Sequence, residues 1–215
     1  MTGWTLVTGG AKRLGADICN ELSLAGHRVL THYRKTPVAD GEFIQGDFST
    51  PRSVDEFLER LQKYEIHYLV NNVGNYETDS ALNSSMEVWR SLYQTNFFAP
   101  LAIIRSLAPQ LKAVVNIGTA GMNHFSGETY ASPYHFSKHS LYCLTMSLAK
   151  ELAEKGVRVN MVSPGVLDNS IDKSNRQMPM GREGRTEEVA RAVRYLLGEE
   201  YITGQNLDVA GGWKL

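Results

Sequence analysis

The chain has 215 residues, enough for one domain with a sizeable core, and its 42% hydrophobic and 21% charged residues describe a soluble globular protein. A formal net charge of -1 gives no reason to expect a nucleic-acid or acidic-membrane surface. Two cysteines, Cys19 and Cys143, lie in separate helical patterns without metal-ligand spacing, and neither a transmembrane segment nor a secretory leader is visible, so a reduced, cytoplasmic protein without a metal is expected.

In chain order, "TLVT" (Thr5–Thr8) reads as a short buried strand. "LGADICNELSLAG" follows as a helix with Leu14, Ile18, Leu22 and Ala25 on one face, ended by Gly26. "HRVLTHY" is a second strand and "EFIQGDF" a third, stopping near Gly46-Asp47. Thr50 and Pro51 open a helix over "TPRSVDEFLERLQKY". "IHYLVNN" is a fourth strand, and a long helical stretch from about Met86 to Leu111 is broken near Pro100. "AVVNIG" is a fifth strand, "YHFSKHSLYCLTMSLAKELAEKG" a long helix and "VRVNMVSPG" a sixth strand. Thr186 caps "EEVARAVRYLL", and "NLDVAGG" is the seventh strand.

Apolar strands alternating with helices imply a parallel sheet covered on both faces, the α/β, Rossmann-type doubly wound architecture. With no linker or repeat, residues 1–215 form a single expected domain. Ligands in such sheets lie beyond the carboxyl ends of the strands, so the segments there are read together. After the first strand, Gly9 and Gly15 supply a tight turn and a close helix approach, with backbone N–H groups facing a pyrophosphate. After the second strand comes Arg34, where an acidic residue would accept from the ribose of NAD. Arg34, supplemented by Lys12 and without a carboxylate at Tyr33, favours the 2′-phosphate of NADPH.

Tyr134 and Lys138 are four residues apart and share a helix face. A phenol with a pKa near ~10 works poorly in acid-base chemistry at neutral pH unless its anion is stabilised. A neighbouring ammonium and an oxidised cofactor would do so.

At this point the chain resembles the short-chain dehydrogenase/reductase family, over nearly its whole length. "TGGAKRLG" is similar to TGxxxGxG, "NNVG" (Asn71–Gly74) to NNAG, Asn96 in "TNFF" to a structural asparagine, and "YHFSK" to YxxxK. "VNMVSPG" and "YITGQNLDVAGG" match C-terminal signatures. The resemblance implies that Tyr134 protonates the reduced double bond and that Lys138 holds the nicotinamide ribose and lowers the tyrosine pKa. It implies that Asn96 positions a water of the proton relay. Gly9, Lys12, Arg13, Leu14 and Gly15 would surround the phosphates, Asp47 would meet the adenine edge, and Asn72, Gly74, Pro164 and Gly165 would line the cofactor. Homotetramers or homodimers, through the long helices and the last strand, are also implied.

Two positions depart from the family pattern. Thr119 stands for the usual serine and lies two residues further from the tyrosine than expected, with Ser126 as a lower-ranked substitute. Arg13 occupies the middle-glycine position. TGxxxRxG is similar to the pteridine reductase branch, in which this arginine reaches the substrate; "LTHYRK" and Tyr76 point the same way, whereas Thr119 replaces that branch's aspartate. The alternative branch reduces 3-oxoacyl-carrier-protein thioesters, and a hydroxyl at position 119 suits a carbonyl. The segment Val166 to Pro179 is the expected substrate lid, with Met178 and Met180 as candidate contacts. A third reading, an NADPH-binding regulatory module without turnover, is disfavoured by the intact Tyr134–Lys138 pair. His32, His124 and His135 form no ligand spacing, and His135 is expected to point away from Tyr134.

Overall fold

The structure is a computed structural model that describes residues 3–37, 41–124, 127–170 and 178–213. Its strands are β1 (Trp4–Val7), β2 (Arg28–Tyr33), β3 (Glu42–Gln45), β4 (Ile66–Asn71), β5 (Ala113–Ile117), β6 (Arg158–Pro164) and β7 (Asn206–Val209). They form one all-parallel sheet in the order β3-β2-β1-β4-β5-β6-β7. The helices are α1 (Arg13–Leu24), α2 (Pro51–Leu61), α3 (Met86–Tyr93), α4 (Ala99–Leu107), α5 (Ser132–Ala153) and α6 (Thr186–Gly198). Among the described residues no helix is long and apolar enough to cross a membrane.

Successive strand residues point to opposite faces, so each strand feeds two cores. Leu6, Leu69 and Val114 join Phe57, Ile103 and Leu152 on the face of α2, α4 and α5. Their neighbours Val7, Val70 and Val115 join Ile18, Leu22, Val189 and Val193 on the face of α1 and α6. This double burial explains why β1 and β5 are apolar without alternation. The strand order reverses between β1 and β4, and the crevice of such a sheet opens at the carboxyl ends there.

Several local expectations are corrected. The irregularity in the long helix is a π-helical turn over Gln94–Phe98, not a break at Pro100. Pro100 lies in the first turn of α4 and lacks the N–H that the Asn96 carbonyl would accept in an α-helix, so the preceding turn widens. That helix ends at Leu107 rather than Leu111. Arg185, not Thr186, is the residue before α6: its N–H donates to the Glu188 carboxylate at 2.8 Å, and Thr186 becomes the first helical residue. α5 starts at Ser132, two residues before Tyr134. Ala131 stands before it at φ 53, and Ala131 and Ser132 donate to the carbonyls of Thr78 and Asp79. The segment after β4 therefore grips the start of the helix that carries Tyr134. Thr50 does cap α2, in a reciprocal box with Ser53.

The connection from β2 to β3 is unusual. The two strands are parallel neighbours joined by residues 34–41 alone, where a parallel crossover generally needs about a dozen residues or more. Tyr33 and Phe43, edge-on at 6.4 Å, consequently remain half-buried on the α1 face.

Candidate active site

The first part of the site is the turn between β1 and α1. Gly9 has φ 65, in the left-handed region. A Cβ on Gly15 would lie 2.1 Å from the Gly9 carbonyl oxygen, so only glycine lets α1 approach the turn this closely. Asn72, just past β4, donates from Nδ2 to the carbonyls of Thr8 (3.0 Å) and Gly9 (3.2 Å), and from its backbone to Thr8 Oγ1 (2.9 Å). The "NNVG" segment and the glycine turn are thereby one piece. α1 has no side-chain cap and no acidic residue in its first turn, which leaves its amides and positive dipole end available to an anion. Leu14 packs against the α1–α6 core, while Lys12 and Arg13 are exposed. Arg13 itself adopts φ 52, a glycine-like conformation held by a branched-free but full side chain.

At the end of β2, Arg34 Nε donates to Asp47 Oδ2 at 3.1 Å. No carboxylate stands at position 33, as the sequence shows, but Asp47, from the exit of β3, supplies one beside Arg34. Asp47 Oδ1 also accepts from Ser49 N at 2.9 Å. Burial works to raise the Asp47 pKa, but the Ser49 hydrogen bonds and the Arg34 guanidinium outweigh it and hold the carboxyl below its ordinary value. Among the described residues the two terminal nitrogens of Arg34 have no hydrogen bond, so the fork of the guanidinium remains for another anion.

The third part surrounds Tyr134, which keeps intermediate solvent exposure. Thr119, after β5, shares a hydrogen bond with its side chain, so the residue two positions further away than expected does reach the phenol. Surrounding protein pushes the phenol up to about 12, with the Thr119 bond opposing the rise. The Tyr76 ring stands edge-on at 4.8 Å, and the His135 ring lies 5.5 Å away. His135 thus does not point away from its neighbour as helix geometry suggested.

Lys138 is 3% exposed, and its Nζ donates to the Ile117 carbonyl at 2.7 Å. Burial lowers its pKa to about 8. A Cβ on Gly74 would lie 3.3 Å from that Nζ and 3.6 Å from Asn96 Oδ1, which brings Gly74, Lys138 and Asn96 together. The Asn96 side chain is held by protein: Oδ1 accepts from Asn75 N (2.8 Å), and Nδ2 donates to Asn75 O (3.0 Å) and Ser137 Oγ (2.9 Å). Ser137 Oγ in turn donates to the Tyr134 carbonyl at 2.7 Å. Asn96 therefore fixes the loop after β4 against α5.

Pro164 and Gly165 end β6 beside these groups. The Pro164 carbonyl accepts from Ala120 N at 2.9 Å, next to Thr119, and a Cβ on Gly165 would lie 2.9 Å from Ala210 Cα. Met178 is buried and Met180 exposed. Residues 171–177 of the expected lid and Ser126 lie outside the described residues. Sequence reasoning passed over Asn75 and Ser137, and weighed His32 only as a metal ligand. Its burial on β2 is what calls for partners, because a buried polar group needs them.

The left-handed backbone at Arg13 has a measurable consequence. Arg13→Gly should raise stability by about 0.5–1 kcal/mol, the relief of φ > 0 less the entropy of a freer unfolded chain. Urea denaturation at neutral pH checks this, and an unchanged or lower midpoint contradicts it.

Comparison with known proteins agrees with this geometry. The family model described as Enoyl-(Acyl carrier protein) reductase matches residues 9–214. The chain is 32% identical to carbonyl reductase family member 4 of Danio rerio, over 100% of this chain and 99% of that protein. It is 28% identical to the 3-oxoacyl-[acyl-carrier-protein] reductase of Escherichia coli, over 96% and 95% of the two chains. A blue fluorescent protein from a metagenomic library, crystallised in complex with NADPH, shares the fold with a TM-score of 0.88 at 23% identity, over 100% of this chain and 98% of its own. With the glycine turn, the "NNVG" segment and the Tyr134–Lys138 helix on one sheet of this order, the chain belongs to the short-chain dehydrogenase/reductase family.

Proposed function

We propose that the protein is an NADPH-dependent reductase that delivers hydride to the carbonyl of a 3-oxoacyl-thioester-like substrate, with Tyr134 as the proton donor. The observation that carries this reading is the Tyr134 phenol, hydrogen-bonded to Thr119 and placed on the helix that buries Lys138 beside Gly74. The names of the relatives, carbonyl and 3-oxoacyl-carrier-protein reductases, support the substrate class.

The residues present fit the cofactor. The uncapped start of α1, with Gly9, Lys12, Arg13, Leu14 and Gly15, suits a pyrophosphate. The fork of Arg34, without a hydrogen bond among the described residues, suits a 2′-phosphate, and its ion pair with Asp47 offsets part of that carboxylate's repulsion. Asn72, Gly74, Pro164 and Gly165 line the approach to Lys138, whose small neighbour Gly74 leaves room at Nζ. Bound NADPH supplies the hydride.

The protein's own contribution is the proton. A phenol at about 12 is protonated throughout the neutral range, as a donor must be. The substrate carbonyl, held by Thr119 and Tyr134, gains hydride at carbon while its oxygen takes the Tyr134 proton, leaving a phenolate that solvent reprotonates. Lys138, still an ammonium below about pH 8, offers positive charge to that phenolate and donors to a ribose. Exposed Phe98, Phe136 and Met146 on the α4 and α5 region support a homodimer or homotetramer.

A second reading, reduction of a dihydropterin, is favoured by one contact, the T-shaped Tyr76–Tyr134 pair with ring centroids 4.8 Å apart, which places a second aromatic ring beside the proton donor. NADPH oxidation with a short 3-oxoacyl thioester and a dihydropterin side by side separates the two. Tight NADPH binding with neither turned over would instead indicate a regulatory module.

Tyr134→Phe should lower kcat for carbonyl reduction by about 10²–10⁴-fold with NADPH affinity retained; residual activity near wild type would remove Tyr134 from the proton step. Arg34→Ala should weaken NADPH by about 10–100-fold, because it removes charged hydrogen bonds and uncovers Asp47, while NADH is much less affected; equal losses in fluorescence titrations contradict the assignment. As pH rises through about 8, Lys138 loses the proton it needs to bind ribose, so kcat/KM for NADPH should fall about tenfold per pH unit above that point. A flat profile to pH 10 would show that the ammonium is not required.

A further inference from the structure

His32 lies within "LTHYRK", yet none of the roles above falls to it, and it bonds to both halves of the site. It is 3% exposed on β2, two positions before Arg34. Its Nδ1 accepts from Gly9 N at 2.9 Å, and its main-chain carbonyl accepts from Gly10 N at 3.0 Å. Because Nδ1 is an acceptor, the ring proton is on Nε2, which donates to the Gly46 carbonyl at 3.2 Å, one residue before Asp47. Phe48 stacks on the ring at 4.4 Å and 7°, and Phe57 meets its edge. A Cβ on Gly46 would lie 2.8 Å from Nε2, so glycine is needed for the approach. The charged groups acting on the ring are Arg60 and Asp47. Burial, the largest influence, lowers the imidazole pKa to about 4, which keeps the Nδ1 lone pair available at neutral pH.

We propose that His32 is a positioning residue of the cofactor site: its neutral imidazole holds the glycine turn and the Arg34–Asp47 pair at one spacing, so that a dinucleotide 2′-phosphate spanning them meets a preformed site. The proposal rests on the NADPH reading. The pyrophosphate and the 2′-phosphate are held by different strand ends, and a ligand that bridges two anchors binds tightly only when their separation is set in advance. Among the described residues the hydrogen bonds of the His32 ring go to Gly9 and Gly46, through which it acts.

The test is binding, not turnover. His32→Phe keeps the stacked ring but loses both hydrogen bonds; His32→Asn keeps an acceptor near the position of Nδ1. Affinities are measured for NADPH, which spans both anchors, and for adenosine 2′-monophosphate, which reaches the Arg34–Asp47 end alone. His32→Phe is expected to weaken NADPH by about tenfold or more and adenosine 2′-monophosphate by less than about threefold, with His32→Asn recovering most of the loss. Unchanged NADPH affinity in His32→Phe overturns the proposal, as does an equal loss for both ligands, which marks a general structural defect. If His32→Phe does not fold, His32→Gln, which reaches toward Gly46 instead of Gly9, should bind NADPH more weakly than His32→Asn, and equal affinities overturn the proposal. Wild-type protein that binds NADPH but reduces no carbonyl overturns the proposed function alone; wild-type protein that binds no NADPH overturns both.

Discussion

Gly15 passes beneath the Gly9 carbonyl so closely that a methyl group would sit 2.1 Å from its oxygen, and the same space is bounded by Asn72 Nδ2 at 2.7 Å. That triple approach of α1, the turn after β1 and the loop after β4 depends on the absence of a side chain. From it follow the direction of the amides at the start of α1, the seat of Asn72 on Thr8 and Gly9, and the path of the "NNVG" segment toward Lys138. Further along, Thr78 and Asp79 receive the N–H groups of Ala131 and Ser132, and Asn75 is held on both sides by Asn96. A tight contact at one end of the crevice thus orients a helix at the other, through backbone hydrogen bonds rather than through flexible side chains.

Burial acts on Tyr134 and Lys138 in opposite directions on the pKa scale but toward the same result. It pushes the phenol up and the ammonium down, so that both neutral forms are favoured. Each group is anchored by protein: the phenol to Thr119, the lysine to the Ile117 carbonyl. In the proposed reduction, such a pair keeps the proton on the phenol until charge develops on the acceptor oxygen. Electrostatic support is then strongest when it is needed, since a partly dry site screens charge weakly.

The Arg34–Asp47 pair places a carboxylate beside a guanidinium at the carboxyl ends of β2 and β3. Exposed ion pairs contribute little to stability, so its significance lies in geometry. Asp47 occupies Nε and turns the remaining fork of the guanidinium outward. Parallel pairing of Tyr33 with Gln45 holds the exits of β2 and β3 side by side, and the His32 ring bonds Gly9 of the glycine turn and Gly46 after β3.

The amino-acid sequence by itself determined the alternation of strands and helices, the all-parallel sheet class, the glycine turn and the Tyr134–Lys138 spacing. These depend on local rules, namely periodicity, turn chemistry and residues four apart on a helix. The resemblance also marked Arg13 at the family's middle-glycine position, and the structure adds that the backbone there is left-handed. Tertiary structure alone decided the π-helical turn ahead of Pro100, the commitment of Asn96 to Asn75, the pairing of Arg34 with Asp47, the turn of His135 toward Tyr134 and the place of His32 between Gly9 and Gly46. Most of these join residues that are distant in the chain, and which polar partners meet depends on how closely elements pack. Because buried polar groups must find partners and the sheet order determines which ones are within reach, such bonds emerge only once the chain has folded.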